Sequence, residues 1–313
     1  MNLKTISKDP EYGKIDFISK WPIFCGISLV AVIGSFVLFA TKGFNYGIDF
    51  AGGTEVQVKF ESPVDAQALR SFTNELGLPS ASVQSFGENN EYLIRTEAKG
   101  NSADEINKMA EQTTKAISDG LLTTFAEMKP EIRRVDSVGP QVGTELKRNG
   151  ILAAFYSLIA LLLYVSLRFD YKFAPGAVLC LFHDAVVTLG VFSLIGKEVN
   201  VQTMAAVLTI IGYSLNDTII NFDRVRENIP IYKKKPLALI INKSVNDVLV
   251  RTLFTTFATF LAVIALYFLS GGGVIKDIAF TLGLGIIFGT YSTMYVASPL
   301  VLLFDKYETP QKA

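Results

Sequence analysis

The sequence predicts a polytopic α-helical membrane protein, with six transmembrane helices and an α+β domain inserted between helices 1 and 2. Three observations support this fold class. Half of the 313 residues are apolar and the mean hydropathy is +0.36, which is high for a soluble protein but low for a chain of membrane helices alone. Six apolar runs approach the roughly 20 residues that cross a bilayer. One long polar stretch, residues 41–147, separates the first two runs.

The apolar runs set the expected membrane helices. They are residues 21–40, 151–167, 173–195, 201–222, 252–269 and 278–304. The last five make up a membrane region of residues 148–304 that includes a loop at 223–247. The final run is long enough to tilt or to kink at Pro299. Gly283, Gly285 and Gly289 within it would let a neighbouring helix approach closely.

The basic residues predict the orientation, although Lys+Arg and Asp+Glu balance at 29 each. Basic side chains in short segments favour the cytoplasmic side. The segments that we expect to face the cytoplasm carry Lys4, Lys8, Lys14, Lys20, Arg168, Lys172, Arg224, Arg226, Lys233, Lys234, Lys235, Lys243, Lys306 and Lys312. The short loops on the other side carry only Lys197 and Lys276. Segment 1–20, loop 223–247 and tail 305–313 are therefore predicted to be cytoplasmic, with 41–147 exported and the first helix an uncleaved anchor.

The polar stretch has the pattern of a ferredoxin-like domain. TEVQVKF (54–60) alternates as a half-buried strand does, and residues 63–77 begin with Pro and end with Gly, as helices do. Residues 81–86 and 91–97 predict a hairpin, 102–127 a helix capped by Ser102, and EIRRVDSV (131–138) a final strand. The order βαββαβ places the first and last strands side by side, so both ends of the domain can return to the membrane together.

Ionisable side chains fall inside the apolar runs or at their edge. They are Asp217, Asp184 beside His183, and Arg251 at the head of the fifth run. A charge at the bilayer centre costs about 2.5–3.5 kcal/mol on insertion scales, so such residues usually face a bundle interior or a water path. Asp217 and Arg251 are expected at similar depth, on helices joined by one loop. Burial and a nearby Arg act in opposite senses on the charge of a carboxyl, so this pair could take up and release a proton.

The residues alone leave other interpretations open. Asp217 and Arg251 could form a structural ion pair between helices. Asn216 is a polar neighbour of Asp217. The Thr255 hydroxyl, on the face of Arg251, could hold water against the carboxylate, but threonines in membrane helices often bond to their own backbone. His183 and Asp184 could extend a proton path or make an interhelical hydrogen bond.

No enzyme site is indicated. The chain has one histidine, no Cys/His metal spacing and no phosphate-binding glycine loop. The two cysteines lie in apolar runs, so no stabilising disulfide is indicated. We expect no cofactor, no metal and no nucleic acid, with protons as the coupling ion and the lipid membrane as surroundings.

Three motifs resemble those of the SecD/SecF family of the bacterial Sec protein-export machinery. FNYGIDFAGGTEV (44–56) is similar to its GIDFxGG signature, VGPQVGTEL (138–146) to its VGPxVGxEL signature, and GYSLNDTIINFDRVREN (212–228) to its fourth-span signature. Length and the third motif favour the SecF branch, because SecD has a much larger exported region. The signature includes Gly47, Asp49, Gly52 and Gly53, where glycines permit unusual backbone angles. This segment is either a tight connector or a hinge.

The resemblance implies a fold and a function. The fold is one transmembrane half of an RND-superfamily transporter, located in the bacterial inner membrane. The implied partners are SecD, the SecYEG channel, YajC and the translocating preprotein. The implied work is completion of preprotein translocation by the proton motive force, with Asp217 transferring protons beside Arg251. The alternatives are an RND-type small-molecule or lipid exporter half and a purely structural, channel-stabilising subunit.

Overall fold

The computed structural model of the chain describes residues 9–86, 90–97, 103–169, 172–270 and 273–305. Lys4, Lys8, the expected cap Ser102, Lys306 and Lys312 lie outside the described residues. In chain order the elements are α1 (Trp21–Thr41), β1 (Asn45–Tyr46), α2 (Ile48–Ala51), β2 (Gly53–Lys59), α3 (Ala66–Glu75), β3 (Ser82–Ser85), β4 (Glu91–Thr96), α4 (Ala103–Thr124), a 3₁₀ turn (Ala126–Met128), β5 (Glu131–Val138), α5 (Pro140–Arg168), α6 (Ala174–Ile195), β6 (Glu198–Val199), α7 (Val201–Ile231), α8 (Leu237–Leu269), α9 (Gly273–Ser292), a π-helical turn (Thr293–Ala297) and α10 (Ser298–Asp305).

Among the described residues, six helical segments are long and apolar enough to cross a membrane, which confirms the predicted number. They are α1, α5, α6, α7, α8 and the continuous segment Gly273–Leu303. In α6, α7 and the last segment about half of the most apolar window is buried, whereas α1, α5 and α8 leave most of theirs uncovered. The bundle therefore has a packed centre and an apolar outer surface.

Helices continue past three predicted boundaries of the membrane region. Helix α5 begins at Pro140 rather than near 148, because Gly139 is extended and Pro140 suits the first helical position. The predicted loop 223–247 is largely helical: α7 continues to Ile231 and α8 starts at Leu237. Hydropathy falls where a helix leaves the membrane, but the backbone hydrogen bonds continue into water. Only residues 232–236 join the two helices.

The sixth span changes its winding before Pro299. The turn Thr293–Ala297 is π-helical, and the Ser298 amide bonds to the Thr293 carbonyl, five residues back. The Ser298 hydroxyl donates to the same carbonyl at 2.9 Å. The winding therefore widens just before Pro299, whose ring lacks the N–H for the ordinary helical bond.

The inserted domain is a four-stranded antiparallel sheet with two long helices, in the predicted βαββαβ order. The strand order is β3–β4–β2–β5, so the first and last strands of the domain are neighbours. Val56 in the central strand pairs with Ile94 on one side and Val135 on the other. Val56 and Val58 of this strand, and Phe60 directly after it, are buried in the same cluster as helix residues Leu69, Phe72, Ile117 and Leu121. The domain thus has its own hydrophobic core.

The segment before α1 lies across the hairpin end of α8. Tyr12, Phe17 and Ile18 are buried in the large bundle core. The Asn242 side chain is fully buried and makes four hydrogen bonds to this segment. Its oxygen accepts from the Phe17 amide at 2.8 Å and the Ile18 amide at 3.3 Å. Its nitrogen donates to the carbonyls of Tyr12 at 2.7 Å and Ile15 at 2.9 Å.

Candidate functional site

Asp217 lies in the middle of α7 and is only 3% exposed. Its carboxylate accepts no hydrogen bond and forms no ion pair with any residue in the described part of the chain. The adjacent Thr218 is fully buried and bonds to the Ser214 carbonyl and to the Thr293 hydroxyl, each at 3.1 Å. Asn216, by contrast, is exposed on the outer face of the helix. Asp217 is thus a buried carboxylate without a fixed partner.

Helices α7 and α8 pack as an antiparallel hairpin in register. The Tyr213 hydroxyl donates to Thr259 at 3.3 Å near one end, and the Asn228 amide donates to Ser244 at 2.9 Å near the other. Each residue forward on α7 is therefore matched by one residue backward on α8. This register places Asp217 level with Thr255.

Arg251 lies one turn from that level, about 6 Å along the axis toward the connecting turn. The register agrees with the expectation of similar depth for Asp217 and Arg251. Arg251 is exposed on the bundle surface. No ion pair joins the two in the residues that the structure covers. The geometry therefore lacks the direct contact that a structural staple requires.

Thr255 does not point its hydroxyl at the carboxylate. The hydroxyl donates to the backbone carbonyls of Arg251 at 3.1 Å and Thr252 at 3.0 Å, both in its own helix. This is the backbone bonding that the sequence left open as the alternative for the threonines. The Thr255 hydroxyl is therefore bonded within its own helix. The geometry does not support the expectation that this hydroxyl holds water.

A second buried carboxylate lies on the other side of α7. Asp184 of α6 is completely buried and His183 is 5% exposed. The Ser214 hydroxyl donates to one oxygen of Asp184 at 2.6 Å, and the His183 ring nitrogen lies 2.9 Å from the other. Asp184 therefore makes the interhelical hydrogen bond that was one of its two predicted roles. Ser214, which sequence reasoning missed, is one turn before Asp217 on the same helix, and that spacing was the signal available.

Close packing of α7 against α9 holds this region together. Ile210, Ser214 and Thr218 face Gly285, Gly289 and Thr293 in step. A Cβ at Gly285 would collide with the Ile210 side chain, and one at Gly289 would lie 3.1 Å from the Ser214 Cβ. At Gly283 a Cβ would meet only an ordinary 3.5 Å contact with Val263. Two of the three predicted small residues therefore allow the close approach.

The glycine-rich connector docks onto the end of α7 that faces the inserted domain. β1 pairs in parallel with β6, which immediately precedes α7. Asp49 accepts a hydrogen bond from the Val201 amide at 3.1 Å, in the first turn of α7. An acidic side chain at a helix N-terminus satisfies a free amide and complements the helix dipole. Asp49 thus links the connector directly to the helix that carries Asp217.

Close contacts explain why glycine occupies three positions of the connector. Gly52 has φ +75°, and a Cβ there would lie 2.8 Å from the Pro140 backbone. Gly53 has φ +142°, and a Cβ there would collide with the Thr96 carbonyl. At Gly47 a Cβ would collide with the Glu198 carboxylate. The geometry is that of a tightly docked connector.

One arginine bridges the domain to the membrane region. Arg95 of β4 forms ion pairs with Glu55 on the adjacent strand and with Glu198 in the loop between α6 and α7. Burial raises the pKa of Glu198 above its ordinary value, and Arg95 acts in the opposite sense. The two glutamates raise the pKa of Arg95 against its own burial. A partly buried charge cluster therefore connects the domain to the loop.

Comparisons with known proteins agree with this architecture. The family model described as "Protein export membrane protein SecD/SecF, C-terminal" matches residues 118–307, and the "SecD/SecF GG Motif" matches residues 37–64. A protein translocase subunit SecF from Magnetococcus marinus is 49% identical over 292 residues, which is 93% of this chain and 92% of that protein. The subunit SecF from Vibrio alginolyticus is 43% identical over 275 residues, 88% of this chain and 85% of that protein.

Solved structures show the same fold. The crystal structure of SecDF from Thermus thermophilus, titled a translocon-associated membrane protein, matches with a TM-score of 0.81 and 35% identity. The match covers 95% of this chain and 40% of that chain. SecDF in a form titled super-membrane-facing matches with a TM-score of 0.67 and 36% identity, over 95% of this chain and 39% of that one. This chain thus spans about two fifths of each solved SecDF chain. The inserted domain, six membrane spans, motifs and relatives together establish that the chain belongs to the SecF branch of the SecD/SecF protein-export family.

Proposed function

We propose that the chain is an accessory subunit of the Sec machinery that uses the proton motive force, together with SecD, to complete preprotein translocation across the cytoplasmic membrane. Protons are the coupling ion, Asp217 binds the transferred proton, and Arg251 adjusts the charge of Asp217 from one turn away. No catalytic group or cofactor is assigned. The observation that carries the proposal is the buried, unpartnered carboxylate of Asp217.

The environment of Asp217 supports proton binding over a structural role. A structural carboxylate in a membrane bundle is normally held by hydrogen bonds or a paired charge. Asp184 fits that description, because it is bonded to Ser214 and His183. Asp217 does not, since its oxygens have no partner among the described residues. A carboxyl that is not committed to a fixed partner can change charge without breaking the bundle.

The docked connector supports a link between this site and the inserted domain. Asp49 bonds to the first turn of α7, and Arg95 of the sheet bonds to the loop before it. Helix α7 has 31 residues and runs without a break from this loop past Asp217. A charge change at Asp217 that shifts α7 would therefore be felt at the domain. The domain faces the outside of the cell in this proposal, with both chain ends in the cytoplasm.

SecD is the partner proposed to complete the unit. The two solved SecDF chains contain the matched fold within a chain more than twice as long. In this chain α1, α5 and α8 leave most of their apolar windows uncovered, and Arg251 and Asn216 are exposed on the same bundle. A second membrane half would cover such a surface. The SecYEG channel, YajC and the preprotein are further proposed partners.

The test is replacement of Asp217 by asparagine in a bacterium depleted of its SecF, with export of a secreted reporter as the readout. Asp223→Asn is the matched control, because Asp223 lies on the same helix but is half-exposed and paired with Arg168 at 3.5 Å. We expect Asp217→Asn to abolish export while membrane abundance and co-purification with SecD persist. Asp223→Asn should export normally. Normal export by Asp217→Asn would overturn the proposal and favour a purely structural subunit.

A further inference from the structure

Two buried polar side chains near Asp217 lack partners. Both polar atoms of the Asn221 amide and the hydroxyl of Thr252 make no hydrogen bond within the described parts of the chain. Each residue is 1% exposed. A buried polar group left unsatisfied costs about 1–3 kcal/mol, and such groups in native proteins usually bind ordered water. Three unsatisfied atoms in one small region therefore indicate something that bonds to them.

Helix geometry places these two residues together. Asn221 lies one turn beyond Asp217 on α7, and the register with α8 puts it level with Arg251 and Thr252. Thr252 is one turn from Thr256, whose hydroxyl bonds to Thr290 of α9 at 3.0 Å, so Thr252 faces the side of α9. Asn221 and Thr252 thus lie at the same level, where α7, α8 and the sixth span meet.

The third wall of this junction is the π-helical turn. Thr218 of α7 bonds to Thr293, the first residue of that turn, at 3.1 Å. Since α7 and α9 run in step, Asn221 is level with the remainder of Thr293–Ala297. A π-helical turn is wider than an α-helical one and often occurs at functional sites. The wide turn therefore lies at the level of the unpartnered groups.

The chemistry of the groups favours water over a cation. An amide and a hydroxyl each donate and accept, as a buried water with two to four partners requires. The amide NH₂ would oppose a cation, and the positive charge of Arg251 is at the same level. Asp217 is one turn away, about 6 Å along the axis, so one or two waters could span the gap.

We propose that Asn221 and Thr252 hold a buried water cluster beside the π-helical turn, through which the proton of Asp217 passes toward the connecting turn of α7 and α8. This inference rests on the proposed function for the direction of proton movement, but the water site itself does not. Asn221 and Thr252 act as positioning residues, because they would orient the water that meets the carboxyl.

Cysteine accessibility tests the water site directly. In a Cys25→Ala, Cys180→Ala background, Asn221→Cys and Ile211→Cys are compared in the intact complex in native membranes. Both positions are on α7 and nearly fully buried, at 1% and 2% exposed. A small methanethiosulfonate reacts with the thiolate, which forms only where water is present. We expect at least about tenfold faster modification at position 221; equal rates would overturn the proposal.

Export measurements test the role of the water in proton transfer. Asn221→Leu should lower reporter export at least about tenfold, whereas Asn221→Ser, which can still bind water, should restore most of it. Thr209→Val is the control, because the Thr209 hydroxyl bonds to its own helix at Ala205. If Asn221→Leu exports at the wild-type level while Asp217→Asn fails to export, this inference is contradicted and the proposed function is retained. If Asp217→Asn exports normally, the proposed function is contradicted instead. The cysteine accessibility test would still decide whether the site holds water.

Discussion

The contact between the N-terminal segment and α8 gives the most quantitative prediction. Asn242→Ala removes four hydrogen bonds to the backbone of residues 12–18. Two amides and two carbonyls lose their partner in a buried position. At about 1 kcal/mol per net hydrogen bond, the local free energy of opening falls by about 4 kcal/mol. Since 1.4 kcal/mol is a factor of ten, the open population rises roughly 1,000-fold.

Hydrogen–deuterium exchange of the purified complex measures this opening. Local opening sets amide protection in a folded protein, so the amides of Phe17 and Ile18 should lose about three orders of magnitude of protection. Asn242→Asp keeps the acceptor but sets a buried carboxyl oxygen against the Tyr12 and Ile15 carbonyls, so it should lower protection at least as much as Asn242→Ala. Asn246→Ala is the matched control, because Asn246 bonds to Ile15 at the exposed edge of the same contact.

A small effect of Asn242→Ala would contradict this prediction. If Asn242→Ala changes protection by less than tenfold, or no more than Asn246→Ala does, the amide is not what holds the segment. The apolar side chains of Tyr12, Phe17 and Ile18 would then carry the contact instead.

Three further predictions concern packing, capping and pH. Gly285→Ala should lower the thermal transition of the detergent-solubilised complex, since overpacking a close helix contact costs about 1–3 kcal/mol, whereas Gly283→Ala should change it little; equal transitions would contradict the packing described. Asp49→Ala should cost about 0.5–2 kcal/mol of capping energy and loosen exchange protection in the first turn of α7, and unchanged protection there would show that the cap does not matter. Burial raises the pKa of Glu198 above its ordinary value of 4.5, against the influence of Arg95. The docked state therefore binds the Glu198 proton more tightly than the undocked state does. This contribution to docking is largest at pH values below the ordinary pKa, and it is lost as the pH rises through the raised pKa. Glu198→Gln should flatten this pH dependence of domain protection, and an unaltered profile would exclude Glu198 as its source.

Local sequence patterns were enough to predict the helices and strands, because the residues of each element have their own hydropathy pattern. Strand β5 has the bounds predicted from its sequence, and β2 differs by one residue. The alternation of TEVQVKF and the apolar runs are properties of neighbouring residues. Helices α7 and α8 continue past the apolar runs that end at 222 and begin at 252 for a matching reason. Hydropathy reports where a helix leaves the membrane, not where its hydrogen bonds end.

The site was only partly predictable, because it depends on contacts between distant residues. Asp217 could be singled out as a charge within an apolar run, and Arg251 as a charge at the head of another. Ser214 gave no such signal, since a serine in a membrane helix is common and its bond to Asp184 joins residues of two different helices. The hydrogen bond from Val201 to Asp49 spans 152 residues, and no spacing rule reports it.

That long-range bond has a consequence for biogenesis. The sheet domain is built from residues 53–138, one continuous stretch that closes on itself. The loop before Val201, onto which the domain docks, is synthesised only afterwards, together with the α6–α7 hairpin. Domains generally fold as units during synthesis, so the sheet can finish folding before there is anything to dock against. The last step of maturation is then the docking of a folded domain onto the newly inserted α6–α7 hairpin. A nascent chain stalled before α7 should carry a domain that is folded but not yet docked.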